Sequence, residues 1–179
     1  MNIKIFADGS NIKEIFDLYE NNKLVKGFTT NPSLMKKAGV TDYGSFIKEV
    51  TSKIKNLSIS FEVFADDEKE MIYQANKIAS FGENIHVKIP ITNTKGQYTL
   101  NVIESLVKDN IKVNVTAVFT QTQINLLKTV LPNNKDIEDY GIYNTIKTNE
   151  EQELLILVNN NLDNIFKRYI LLVLPTKYK

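Results

Sequence analysis

The chain has 179 residues, enough at roughly 150 residues per domain for a single domain with a sizeable core. Its 22 Lys plus Arg against 21 Asp plus Glu give a net charge of +1, so no basic excess points to nucleic acid. Zero Cys excludes disulfides, thiolate metal sites and a thiol nucleophile, and one His leaves His-based triads and metal sites poorly supplied, so any catalysis falls to carboxylates, Lys, hydroxyls or amides.

The first strand is expected at Ile3–Asp8, in an N-terminus that lacks the apolar core and small-residue cleavage site of a signal peptide. With no apolar run near the ~20 residues of a membrane span, a cytoplasmic protein without membrane partners is expected. Asn11 and Glu14 stand at capping-box spacing, and Ile12, Ile15, Phe16 and Tyr19 repeat at helical intervals, predicting a helix over Asn11–Asn21. Strand-like runs follow at Lys26–Asn31, Ile59–Asp66, Ile85–Thr92 and Ile111–Phe119, with spacers long enough for one helix each. Asn31-Pro32 supplies an N-cap followed by Pro at the first helical position. Asp66 and Asp67 open a helix holding Met71, Ile72, Ala75 and Ile78 that ends near Gly82. This is the rhythm of parallel strands joined by crossover helices. Past Pro132 it weakens: Asp139–Ile146 is a marginal strand, Leu154–Val158 a buried strand, Asn161–Lys167 a short helix and Tyr169–Leu174 a last strand.

Parity within the strands separates two α/β architectures. A sheet covered by helices on both faces is apolar throughout, whereas a barrel strand keeps an apolar outer face and an inner face open to chemistry. Ile3, Ile5 and Ala7 alternate with Lys4, Phe6 and Asp8; Ile59, Phe61 and Val63 with Ser60, Glu62 and Phe64. Val87 and Ile89 oppose His86 and Lys88, and Val113 and Val115 oppose Asn114 and Thr116. A barrel gathers Asp8, Glu62, Lys88, Asn114 and Thr116 around one axis. Lys88 stands mid-strand between Val87 and Ile89, where desolvation disfavours an ammonium, which makes it a candidate amine nucleophile. Its other reading is an inward Lys neutralised by Asp8 or Glu62. His86, two positions earlier, reads as structural and deeper in the barrel.

Phe6-Ala7-Asp8, Gly27-Phe28-Thr29-Thr30-Asn31-Pro32-Ser33, Ser60-Phe61-Glu62-Val63, His86-Val87-Lys88-Ile89-Pro90 and Asn114-Val115-Thr116-Ala117 closely resemble the transaldolase family, over about residues 1–131 and in the family's order. The resemblance implies a (β/α)8 TIM barrel and Schiff-base transfer of a dihydroxyacetone unit between sugar phosphates, as in the pentose phosphate pathway, with neither metal nor organic cofactor. By that likeness Lys88 forms the imine and Asp8 takes the C4 hydroxyl proton. Glu62 and Thr116 position a water for dehydration, Asn31 and Asn114 hold the substrate hydroxyls, and Thr29 supports them. Glu62 favours transaldolase over the related fructose 6-phosphate aldolases, which tend to carry Gln there.

The resemblance stops after residue 131. Nothing between Asn133 and Gln152 matches the family's sixth strand or its phosphate-gripping Arg, and Arg168 is the only Arg in the chain. We therefore expect one domain over 1–179, family-like over 1–131 and divergent or truncated over 132–179, as a barrel incomplete or disrupted after residue 132. An open strand edge there favours oligomerisation, and activity is expected to be low. Two other readings stay open: an inactive relative kept for interaction, and an open flavodoxin-like sheet serving as a phosphoacceptor or nucleotide-binding module.

Overall fold

The computed structural model describes residues 4–131, 141–143 and 171–175. Its elements run β1 (Lys4–Asp8), α1 (Ile12–Asn21), β2 (Val25–Thr29), α2 (Pro32–Lys37), α3 (Tyr43–Lys53), β3 (Ser58–Glu62), α4 (Glu68–Ala79), β4 (Ile85–Pro90), α5 (Leu100–Lys108), β5 (Val113–Thr116), α6 (Gln121–Val130), β6 (Gly141–Tyr143) and β7 (Leu171–Pro175). All strand pairings are parallel, in the order β6-β5-β4-β3-β2-β1-β7. Each of the first six strands lies beside its sequence neighbour, the last lies beside the first, and β6 and β7 approach within 8 Å between Cα atoms. That cyclic order is the α/β barrel order. It corrects the open flavodoxin-like alternative, in which the strand order reverses direction at a switch point. No helix among the described residues is long and apolar enough to cross a membrane.

Local chemistry explains where the helices start. The side chain of Asn11 accepts from Lys13 N and Glu14 N, and that of Asn31 accepts from Leu34 N with Pro32 at the first helical position. The expected capping box at Asn11 is altered, because Glu14 receives the Asn11 side-chain amide at 3.3 Å. Of the two candidates before α4, Asp67 is the cap, accepting from Lys69 N and Glu70 N. Asp66 instead accepts from Thr94 N and Thr94 Oγ1, both at 2.7 Å, and ties the loop after β4 to the loop after β3.

Between β2 and β3 the chain makes two helices where the spacing suggested one. Gly39 at φ +70° lets Val40 N reach Met35 O and Gly39 N reach Lys36 O, a Schellman stop that ends α2. Asp42 then accepts from Ser45 N and restarts the chain as α3.

The strands end earlier than composition suggests. Val63, Ile91 and Val118 lie beyond the ladders yet remain buried, so apolar periodicity outlasts pairing. After β3, Phe64 N and Ala65 N turn to Gln74 Oε1, and after β5, Phe119 N turns to Gln123 Oε1. The region beyond Pro132 contributes the three-residue β6, inside the segment read as a marginal strand, and β7, within two residues of its expected position. The strand expected at Leu154–Val158 and the helix at Asn161–Lys167 lie outside the described residues.

The outer face of the sheet and the helices share one core. Phe28, Ile59, Phe61, Val87, Ile89, Val113 and Val115 pack with Met35, Ile47, Val50, Met71, Ile103 and Leu127, all buried. At the bottom of the barrel Phe6 crosses over Gly27: a Cβ there would strike the Phe6 ring and come within 2.6 Å of Ser58 O, so only Gly fits.

Candidate active site

Register puts the inner-face residues into rows. Asp8, Thr29, Ser60 and His86 are successive partners across β1 to β4, and Glu62, Lys88 and Asn114 are successive partners across β3 to β5. Thr116 pairs with Pro90, one pleat above Asn114. In a parallel sheet register partners share a face, so the parity read from each strand is the parity of the whole sheet.

Lys88 is 7% exposed. Its Nζ donates to Thr30 O at 2.8 Å and lies 3.3 Å from Glu62 Oε2. The Thr30 carbonyl is available because β2 leaves the sheet at this point, where Asn31 and Pro32 turn the chain into α2. Desolvation by burial raises Glu62 above the ordinary carboxylate range, and the Asp8 charge adds to it; the Lys88 charge and hydrogen bond oppose them. Asp8 is also raised by burial, against the opposing pull of Thr29 Oγ1, which donates to its Oδ1 at 2.6 Å, and of the Lys88 charge. One buried amine thus faces two carboxylates that each hold protons more tightly than an exposed carboxylate.

The remaining candidates divide. Asn114 is fully buried, its Nδ2 donates to Ser60 Oγ at 3.1 Å, and its Oδ1 has no partner in the described structure. An orphaned buried acceptor beside Lys88 on the inner face suits a ligand hydroxyl. Asn31 uses its oxygen to cap α2, at 3.0 Å from Leu34 N, leaving its Nδ2 as the group able to donate. Thr116 is not hydrogen-bonded to Glu62; the two stand on β5 and β3, on either side of the strand bearing Lys88. His86 is buried, with Nδ1 2.9 Å from Ser58 Oγ, one layer below Lys88. Among the described residues no group of three or more acidic or His side chains is placed to hold a metal ion.

Three contributors escaped the sequence reading. Ser60 orients Asn114, Thr30 offers its carbonyl to Lys88 and has an unpartnered buried Oγ1, and Tyr43 donates to Glu62 O at 3.0 Å. Ser60 shares the parity of Glu62 and could have been found. The other two depend on where β2 parts from β3.

Residues 5–130 match the profile of the Transaldolase/Fructose-6-phosphate aldolase family. A probable transaldolase of Dehalococcoides mccartyi is 37% identical over 123 residues, covering 68% of this chain and 54% of that protein. One from Methanococcus vannielii is 39% identical over 121 residues, and one from a Thermoanaerobacter species 42% over 123, each covering 68% of this chain and 53% of the relative. The chain spans about half the length of these curated relatives.

Proposed function

The chain belongs to the transaldolase/fructose-6-phosphate aldolase family, and from that premise we propose that it transfers a three-carbon dihydroxyacetone unit between sugar phosphates through an imine on Lys88. The observation that carries this reading is the buried Lys88 amine, 3.3 Å from a carboxylate raised by burial. An amine attacks a carbonyl only when neutral, and the 3.3 Å separation supports Glu62 as the group that takes its proton. Attack at C2 of a ketose phosphate gives a carbinolamine, and loss of water gives an iminium. Glu62 and Thr116 flank Lys88 and hold the water that carries the proton for this step.

Asp8 next takes the C4 hydroxyl proton. The C3–C4 bond breaks, its electron pair flows into the iminium, and an aldose leaves. The three-carbon enamine stays on Lys88, held by Asn31 and Asn114, until an acceptor aldehyde takes it and water frees the amine. Thr29 keeps Asp8 aimed through its 2.6 Å hydrogen bond. Residues 1–131 contain no Arg, so within that stretch a substrate phosphate meets only Lys, a point charge rather than a bidentate fork.

Borohydride reduction with fructose 6-phosphate, followed by peptide mapping, tests the assignment. A reduced three-carbon adduct belongs on the peptide containing Lys88; an adduct on another Lys refutes it. Under single-turnover trapping Asp8→Asn forms the imine and slows cleavage, whereas Glu62→Gln slows the imine itself.

A further inference from the structure

The ladder between β2 and β3 ends with Thr30 N donating to Ser60 O at 3.1 Å. Two residues further along a parallel ladder, the Glu62 carbonyl takes its bond from the amide of residue 32. Residue 32 is Pro32, which has no N–H. The donor comes instead from Tyr43, first residue of α3, whose hydroxyl donates to Glu62 O at 3.0 Å. Its ring meets Phe61 edge-on at 6.1 Å and Phe64 at 4.8 Å between centroids, gripping the strand end on both sides of Glu62. Burial and the Glu62 charge both push the Tyr43 phenol up, so it stays protonated and can only donate to that carbonyl at neutral pH.

We propose that Tyr43 is a positioning residue for Glu62: its hydroxyl replaces the backbone donor that Pro32 lacks and pins the β2-facing edge of the end of β3, whose other edge Val63 N holds to Lys88 O at 3.3 Å, so that the Glu62 carboxylate stays against Lys88. The role in catalysis rests on the imine reading above. The groups facing Glu62 are Lys88 from β4, Asp8 from β1 and Tyr43 itself from α3. With that edge loosened the carboxylate gains water and loses part of its contact with Lys88; burial is the larger of these opposing influences, so the raised value relaxes toward the ordinary one.

Tyr43→Phe keeps the ring and deletes one oxygen. In a carbon-13 NMR titration of the full chain, the Glu62 carboxyl midpoint is expected to move down relative to wild type. Borohydride trapping on Lys88 should slow about tenfold with KM within about twofold, as for loss of one hydrogen bond acting on a step rather than on binding. Phe64 is 52% exposed, so Phe64→Ala leaves the fold intact while freeing the Tyr43 ring. It should move the midpoint in the same direction by less, and it decides the matter if Tyr43→Phe does not fold. An unchanged Glu62 midpoint in the folded variants overturns the proposal. Absence of any adduct in the wild type instead overturns the imine reading, and the carboxyl titration still decides whether Tyr43 positions Glu62.

Discussion

On the outer face of the sheet Phe28, Ile59, Phe61, Val87, Ile89 and Val115 pack into the helices, while one residue along the same strands the inner face sets Thr29, Ser60, Glu62, Lys88 and Asn114 around a shared interior. Both sets are withdrawn from water, with opposite energetic signs. Burying the outer side chains is favourable by about 1.5–3 kcal/mol each. Burying the inner ones raises Asp8 and Glu62 and leaves Asn114 Oδ1 without a partner. The outer face holds the fold together, and the inner face draws on that stability to keep polar and charged groups desolvated.

The largest expected effect separates the faces by activity. Lys88→Met should lower turnover at least about 10³-fold, as loss of a covalent nucleophile does, while circular dichroism reports a retained fold. A Lys88→Met protein that still transfers the three-carbon unit would remove the inner face from the chemistry. The converse substitution lies one face away. Phe61→Ala empties a buried site among Tyr43, Phe46 and the helices and should destabilise by about 3–5 kcal/mol in urea unfolding. A loss under about 1 kcal/mol would mean that the outer face is not a tightly packed layer.

A third measurement exploits the raised carboxylates. A folded state that keeps protons which the unfolded chain releases has stability that falls as pH rises from about 4 through the raised values. Asp8→Asn removes one such titration and keeps an acceptor for Thr29. Its thermal midpoint should exceed wild type at neutral pH, with the gap closing below about pH 4. A lower midpoint at neutral pH would make Asp8 a net stabilising charge.

The smallest effect has the opposite sign and sharpens the contrast. Asp42 starts α3 in the open, and the Ser45 backbone and side-chain donors hold its carboxyl below the ordinary range. Its contribution is present above the ordinary value and lost as pH falls through the depressed one. Asp42→Ala should lower the midpoint slightly at neutral pH, with the deficit narrowing in acid.

Much of this arrangement is legible along the chain. Strand parity is a local property, because the pleat sends alternate residues to opposite faces whatever the neighbours are. Asp8, Glu62, Lys88 and Asn114 could therefore be assigned to one face from spacing alone. The caps at Asn11, Asn31 and Asp67 are equally local, being set by side chains two or three residues from the amides they satisfy. Asp66 shows the limit: adjacent to a true cap and chemically identical to it, it bonds to Thr94, 28 residues away.

What the sequence determined by itself is thus the alternation of strands and helices, the apolar and polar faces, and the set of carboxylates, amides and the Lys88 amine on the polar one. Tertiary structure decided which of those groups meet. Register brought Lys88 level with Glu62 and Asn114, and the parting of β2 from β3 at Asn31-Pro32 left the Thr30 and Glu62 carbonyls to be claimed by Lys88 and Tyr43. Those contacts join residues 58 and 19 positions apart. No local propensity encodes them, because each exists only once the ladder between two strands has stopped and a third element lies close enough to supply the missing donor.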